Sequence, residues 1–171
     1  MTRLQRRLRA AKLDLPAPPQ PGGAYESVAV RGDVAYVAIQ FPILDGEHLH
    51  RGRLGAEVTA EEGYAAVRLC TLNVLAQLAE KLGDRELLGF NHLDLSYVAA
   101  PGWDDAPRVA DAAGELLREV LGEAGRHTRS LRGVAHLPRD FCVGLAATAT
   151  LLPPPALRPK RPGIFTRRTR R

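Results

Sequence analysis

Cysteine, long apolar runs and aromatic residues are all scarce in this chain of 171 residues. The two cysteines, Cys70 and Cys142, lack CxxC spacing, so both are predicted to be buried thiols and neither a disulfide framework nor a zinc site is expected. No run of about 18 apolar residues is present, so no transmembrane helix and no membrane partner are expected. The N-terminus lacks the apolar core of a secretory signal, which predicts a cytoplasmic location. No metal and no cofactor is expected.

Positive charge is concentrated at the two ends of the chain. Residues 1–12 carry five Lys or Arg and residues 158–171 carry seven, without any acid, so a net charge of +5 overall leaves −7 for residues 13–157. Basic ends of this kind favour non-specific contact with nucleic acid. The alternative is a pair of solvated arms, which fits the lack of stacking aromatics, because Phe165 is the only aromatic residue in either end.

Composition divides the chain into three parts. A basic and Pro-rich N-terminal arm covers residues 1–20, one domain covers residues 21–153, and a Pro- and Arg-rich tail covers residues 154–171. Hydrophobic residues make up 45% of the chain, which is enough for the domain to form a core.

The hydrophobic pattern of the domain predicts alternating strands and helices. Thr59 and Glu62 form a capping box at the start of a helix that Gly83 ends, and Asp104 or Asp105 caps a second amphipathic helix. Strand patterns cover residues 28–30, 34–40, 88–98, 129–136 and 141–151, with a turn at 45–46 followed by a short strand or loop. The predicted order is β-β-(β)-α-β-α-β-β.

This order predicts an α+β domain of two layers. Two helices must cover one face of a single mixed sheet to bury their apolar stripes. The opposite sheet face is expected to carry Ala, Val and Leu, as in "VGLAATATLL", and therefore not to face water. A symmetric oligomer that packs sheets together would cover that face.

Three stretches of the sequence, in order, are similar to one known family. "AYESVAVRGDVAYVAIQFP", "GYAAVRLCTLNVLAQL" and "GEAGRHTRSLRGVAHLP" resemble the RidA/YjgF family, also called the endoribonuclease L-PSP or chorismate mutase-like superfamily. The resemblance covers residues 13–152 and implies a chorismate mutase-like fold, a homotrimer and ligand clefts between neighbouring subunits. It also implies the family's main activity, the hydrolysis of reactive enamine or imine intermediates.

The resemblance further implies a set of substrate-binding residues. Arg129, followed by Ser130, corresponds to the arginine that binds the substrate carboxylate, and a guanidinium offers a carboxylate a planar pair of donors. Tyr25 and Gln40 correspond to cleft residues on the first two strands. Asp111 falls near a family asparagine on the second helix.

The sequence departs from the family at the position of the catalytic acid. Deaminating members hold a glutamate fifteen residues after the arginine, and Gly144 stands there in this chain. Ala38 replaces a serine, and Ile39 replaces a glycine. Imine hydrolysis needs a placed water and a group that moves a proton, so the catalytic residues here are unknown.

Two functions therefore stay open for the predicted site. The chain is expected to bind a small carboxylated, anionic metabolite, either as a hydrolase or deaminase with a substituted catalytic group or as a non-catalytic trimeric protein. In the second case it binds metabolites or contacts RNA.

Several neighbouring residues have alternative interpretations. Cys142 lies two residues before Gly144, the position at which the family has its glutamate. It is either a reactive thiol in the cleft or a small buried hydrophobic residue. Arg132 lies on the strand face opposite to Arg129, and that face is expected to meet the helices. His92 and His136 lie on strands, where each is either a base or a structural histidine.

Overall fold

A computed structural model describes residues 2–153, in which five strands form one sheet with helices on one of its faces. The predicted tail at residues 154–171 lies outside the described residues. The first two predicted strands, β1 (Val28–Arg31) and β2 (Val34–Gln40), form a hairpin, and β3 (Ile43–Leu44) and β4 (Glu47–His48) form a second, smaller one. Helix α2 (Ala60–Lys81), β5 (Leu87–Tyr97), α3 (Ala106–Leu121), β6 (Thr128–Gly133) and β7 (Val143–Leu151) follow. The predicted α+β fold is confirmed.

The two long helices begin where the sequence predicts. The Thr59 hydroxyl accepts from the Glu62 amide at 3.2 Å, and the Glu62 carboxylate accepts from the Thr59 amide at 2.8 Å. Both amides would otherwise lack a partner at the start of α2, and the same bonds lower the pKa of Glu62. Helix α3 follows Asp105, which makes no side-chain capping bond, and has Pro107 in its first turn.

The sheet has the strand order β1-β2-β7-β5-β6. Neighbouring strands are antiparallel except β5 and β6, which are parallel because α3 crosses from the end of one to the start of the other. Strand β6 is therefore an edge strand. It ends at Gly133, three residues earlier than predicted, and β7 begins at Val143, two residues later than predicted.

The open face of the sheet, away from the helices, is more polar than predicted. In β7 the side chains of Leu145, Ala147 and Ala149 are buried in the core beneath the helices. Because side chains alternate along a strand, Thr148 and Thr150 lie on the open face with Ala146 and Gly144. The expectation that Leu and Val of "VGLAATATLL" cover the open face was wrong, since Val143, Leu145 and Leu151 belong to the helix-facing side and only Ala146 remains with the two threonines and Gly144.

Helix α1 (Arg3–Ala10) occupies part of the predicted arm and packs on the domain. Leu4 and Leu8, one turn apart, are 4% and 5% exposed and join the main core. The Arg3 amide donates to the Glu86 carboxylate at 2.9 Å, and the Arg7 guanidinium donates to a carbonyl at the end of α3. The prediction of a basic arm missed this helix, because its sequence is rich in arginine and its apolar face consists of only two leucines.

None of the helices within residues 2–153 has the length and the apolar character of a membrane span.

Candidate functional site

A cavity of about 430 Å³ lies between the end of β2, the Pro- and Gly-rich lead-in segment at residues 13–23, and the turn that precedes β7. Two of the predicted site residues, Tyr25 and Gln40, line it. Its other walls are mostly apolar, and they comprise Pro19, Pro21, Ile39, Phe41, Ile43, Pro138 and Phe141 with Gln20, Gly22, Ser27, His48 and Arg139. The volume is within the range of small-molecule sites.

Gln40 fixes the wall that β2 contributes to this cavity. Its side-chain amide donates to the Ala38 carbonyl at 2.9 Å, and its side-chain carbonyl accepts from the Gln77 amide at 3.3 Å. Gln77 of α2 also donates to the Pro19 carbonyl at 2.6 Å. One buried side chain thus ties both the lead-in segment and β2 to helix α2.

Hydrocarbon fills the space above Gly144, where the resemblance places a catalytic glutamate. A Cβ atom at Gly144 would lie 2.7 Å from Ile39 Cδ1 and 2.8 Å from Phe41 Cε1. The pairing of β2 with β7 shifts register between Val37 and Gln40, and this irregularity accompanies the approach of Ile39 to Gly144. Phe41 in turn stacks on Phe141 with ring centroids 4.8 Å apart. A larger side chain at this position must displace these groups.

Arg129 lies on the helix-facing side of β6 and outside the cavity lining. It pairs in register with Leu93, whose side chain is buried in the core. Its guanidinium donates to Asp111 Oδ1 of α3 at 2.8 Å, and the two side chains are 31% and 55% exposed. The structure therefore brings Arg129 and Asp111 together, but neither of them lines the cavity to which Tyr25 and Gln40 belong.

The predicted orientation of Arg132 was wrong. Arg132 pairs in register with Ser96, on the open face, and its guanidinium bonds to the Asp94 carboxylate there. The physical reason is the register of β5 and β6, in which the odd-numbered residues of β6 share the face of Leu93 and Leu95. The arginine that meets the helices is therefore Arg129.

Ser130 lies on the open face next to His92. The Ser130 hydroxyl is 3.1 Å from His92 Nε2, and His92 Nδ1 is 2.8 Å from the Thr128 hydroxyl. Because the Thr128 hydroxyl donates its proton to the Asn91 carbonyl, it accepts from His92 Nδ1, and Nε2 is left to accept from Ser130. His92 thus has satisfied partners on both nitrogens, as expected for a structural histidine. Ser130 and Arg129 point to opposite faces of the sheet.

Comparison with known proteins assigns the chain to a family. A family model described as "YjgF/chorismate mutase-like, putative endoribonuclease" matches residues 5–147. The chain belongs to this family. It is 34% identical to Protein TCP17 of Trypanosoma cruzi over 151 residues, which cover 87% of this chain and 94% of that relative.

Solved structures of the YjgF family share the fold. A crystal structure of a "putative endoribonuclease" from Shewanella oneidensis is 35% identical and has a TM-score of 0.82, over 88% of this chain and 99% of that one. TdcF of E. coli, crystallised with bound serine, is 20% identical and has a TM-score of 0.58, over 78% of this chain and 93% of that one. The resemblance to the YjgF family seen in the sequence is confirmed.

The two cysteines of this YjgF-family chain are buried thiols, as predicted. Cys70 and Cys142 have no exposed surface. Burial raises the pKa of Cys142 to about 12 and raises that of Cys70 as well. Cys142, one of the predicted substrate-binding residues, is therefore a neutral core group in the protomer and does not line the cavity. Within residues 2–153 no cluster of His, Cys, Asp and Glu side chains could hold a metal ion.

Three parts of the cavity are not indicated by the YjgF-family motifs. They are the proline-rich lead-in segment, Phe141, which stacks on Phe41, and Arg139. The sequence does contain a signal for Arg139, because it lies between Pro138 and Asp140, two residue types that favour turns, directly before the last strand. His136, the other candidate base, is exposed and lies 3.8 Å from Asp140 outside this cavity.

Proposed function

We propose that this protein binds a small carboxylated metabolite in clefts between the protomers of a homotrimer. Each cleft combines the cavity of one protomer, with Tyr25 and Gln40, and the Arg129 edge of its neighbour. It does not hydrolyse imines by the route of the deaminating YjgF-family members.

The observation that carries this proposal is the separation of the predicted site into two incomplete halves. One half is a cavity of about 430 Å³ whose lining does not include Arg129, and the other is an arginine at a sheet edge whose side chain is 31% exposed. A ligand carboxylate needs the guanidinium, and the rest of the ligand needs the cavity walls. A neighbouring protomer supplies whichever half is missing. The serine bound to TdcF of E. coli supports a ligand of similar size.

Asp111 adjusts the strength of the carboxylate anchor. Its carboxylate already occupies one N–H group of Arg129, at 2.8 Å, and reduces the positive charge that the guanidinium offers. A ligand carboxylate must therefore share Arg129 with Asp111. The pair is partly exposed, so solvent screens this competition and binding remains feasible at moderate affinity.

The packing at Gly144 is the reason for excluding the deaminase route. Hydrolysis of an imine requires a carboxylate, or an equivalent group, that positions and deprotonates water. Gly144 has no side chain, and Ile39 and Phe41 lie within 3 Å of the place that its Cβ would take, so this position supplies no acid. The proposed cleft thus keeps groups for binding and lacks the group for proton transfer.

Binding and turnover can be measured separately. Wild-type protein and the Arg129→Ala variant are titrated with 2-oxobutyrate by calorimetry and thermal shift, with Arg126→Ala as the matched control because Arg126 pairs with Glu123 on an exposed turn. We expect a wild-type shift that is lost in Arg129→Ala and kept in Arg126→Ala. The same ligand affinity in Arg129→Ala would show that the anchor is assigned wrongly.

Turnover is tested with 2-iminobutyrate generated in situ. The expected result is keto-acid release no faster than in buffer. Release above the buffer rate that disappears in Arg129→Ala would contradict the binding-only proposal. Analytical ultracentrifugation tests the trimer, and a monomer at micromolar concentration would remove the neighbouring half of the cleft.

A further inference from the structure

Arg139 is a second cation at the proposed ligand cavity, and it lies on the cavity's own protomer. It lines the same space as Tyr25, Gln40 and Phe141. Within residues 2–153 its guanidinium forms neither a hydrogen bond nor an ion pair. The adjacent acid, Asp140, is instead bonded to Arg51 at 3.5 Å. A guanidinium that no acid among these residues neutralises is available to an anion from outside.

The backbone around Arg139 is held in a strained shape that fixes where the side chain starts. Arg139 and Asp140 both have positive φ, at 56° and 59°, a conformation that residues with a Cβ atom rarely adopt. Two bonds from the loop before α2 secure this turn. Arg51 Nε donates to the Arg139 carbonyl at 2.8 Å, and the Gly52 amide donates to the Asp140 carbonyl at 2.7 Å. Strained, tightly bonded turns are characteristic of ligand clamps.

The two arginines of the proposed cleft differ in their partners. Arg129 is already bonded to Asp111, whereas Arg139 has no acidic partner among the described residues. They also come from different protomers in the proposed assembly, since only Arg139 belongs to the cavity lining. A ligand that used both would carry an anionic group at each end, with an apolar stretch between them against Ile39 and Phe41.

We infer that the ligand is a small dicarboxylate, with one carboxylate bound by Arg139 and the other by Arg129 of the neighbouring protomer. This inference rests on the proposed function. The walls of the cavity suit the methylene groups of a four- to six-carbon chain, because Ile39, Phe41 and three prolines are among the residues that line it. Arg139 thereby selects dicarboxylates over monocarboxylates of the same length.

The test compares two 2-oxo acids of equal chain length. 2-Oxoglutarate has a terminal carboxylate, and 2-oxopentanoate has a methyl group in its place. Calorimetry on the full-length protein should give an affinity about tenfold to 100-fold higher for 2-oxoglutarate, which is the usual range for a hydrogen-bonded charge pair. In Arg139→Ala this preference should disappear with the affinity for 2-oxopentanoate unchanged. Arg139→Lys should keep part of it, and Arg126→Ala should keep all of it.

Each outcome decides between the two proposals. Equal wild-type affinities for the two acids, or an undiminished preference in Arg139→Ala, would overturn the role of Arg139 and leave the proposed carboxylate site standing. A lack of measurable binding of either acid by the wild-type protein would refute the proposed function and this inference with it. A preference lost in Arg129→Ala but not in Arg139→Ala would assign the terminal carboxylate to Arg129.

Discussion

Replacing Gly144 with alanine tests the claim that hydrocarbon occupies the place of the family's acid. The added Cβ would lie 2.7 Å from Ile39 Cδ1, 2.8 Å from Phe41 Cε1 and 2.9 Å from Ile39 Cγ1. All three distances are shorter than real Cβ contacts, so the neighbouring side chains must move. Gly144 has no positive φ, and alanine is therefore compatible with the backbone. Any loss of stability is then attributable to overpacking.

The expected magnitude follows from these distances. Overpacking by one methyl group costs about 1–3 kcal/mol in a well-packed region. For a domain of this size that corresponds to a fall in Tm of about 2–12 °C. Because two of the three close atoms belong to Ile39, the substitution Ile39→Ala should relieve most of the clash. The double variant is then expected to be more stable than the sum of the single variants predicts, by at least about 0.5 kcal/mol.

Urea and thermal denaturation of the four proteins of this cycle supply the measurement. Gly22→Ala is the matched control, because a Cβ at Gly22 meets no atom within 4 Å. It should leave the free energy of unfolding nearly unchanged. A Gly144→Ala variant as stable as the wild type, or strictly additive effects in the cycle, would refute the packing argument and would reopen the position for an acid.

Three further predictions concern other parts of the molecule. Asp111→Asn should raise the affinity for 2-oxobutyrate about twofold to tenfold, because it frees Arg129, and should lower the free energy of unfolding by less than about 1 kcal/mol. A weaker affinity in this variant would mean that Asp111 assists binding. Leu8→Ala should cost about 2–5 kcal/mol in urea unfolding while Arg9→Ala costs almost nothing, and equal effects would show that α1 is not anchored by its leucine. Cys142 should resist thiol reagents in the folded protein at pH 8. Its pKa of about 12 in the folded protein exceeds the ordinary value of 9.0, so only the unfolded thiol ionises as the pH rises above about 9. The free energy of unfolding should therefore fall over this pH range. Equal free energies of unfolding from urea denaturation at pH 8 and pH 10 would contradict this.

Local signals account for the parts of the fold that the sequence predicted well. The capping box at Thr59 and Glu62 acts within one turn, and the hairpin of β1 and β2 depends on a turn of a few residues. Such features are visible in a short window of sequence. The family motifs, which span most of the chain, then supplied the arrangement of these elements in space.

The parts that were missed depend on contacts between distant residues. The face occupied by Arg129 follows from the register of β6 with β5, and no pattern within either strand reports that register. Likewise, the filling of the space above Gly144 depends on Ile39, more than a hundred residues earlier in the chain. Arg139 was missed because the adjacent acid, Asp140, pairs with Arg51 and not with Arg139, and the sequence does not show this pairing. Site geometry in this protein is mostly a property of pairs that are far apart in sequence.

The hydrogen bond from Gln77 to the Pro19 carbonyl determines how far the protein can be shortened at its N-terminus. A boundary between residues 20 and 21, placed by composition, passes through the wall of the cavity, because Pro19 lies before it and Tyr25 after it. A chain shortened at that boundary would leave Gln77 bonded only to Gln40 and would open one side of the cavity. The first twenty residues therefore belong to the smallest unit in which the proposed ligand binding can be tested, and affinity tags are better placed on the other end.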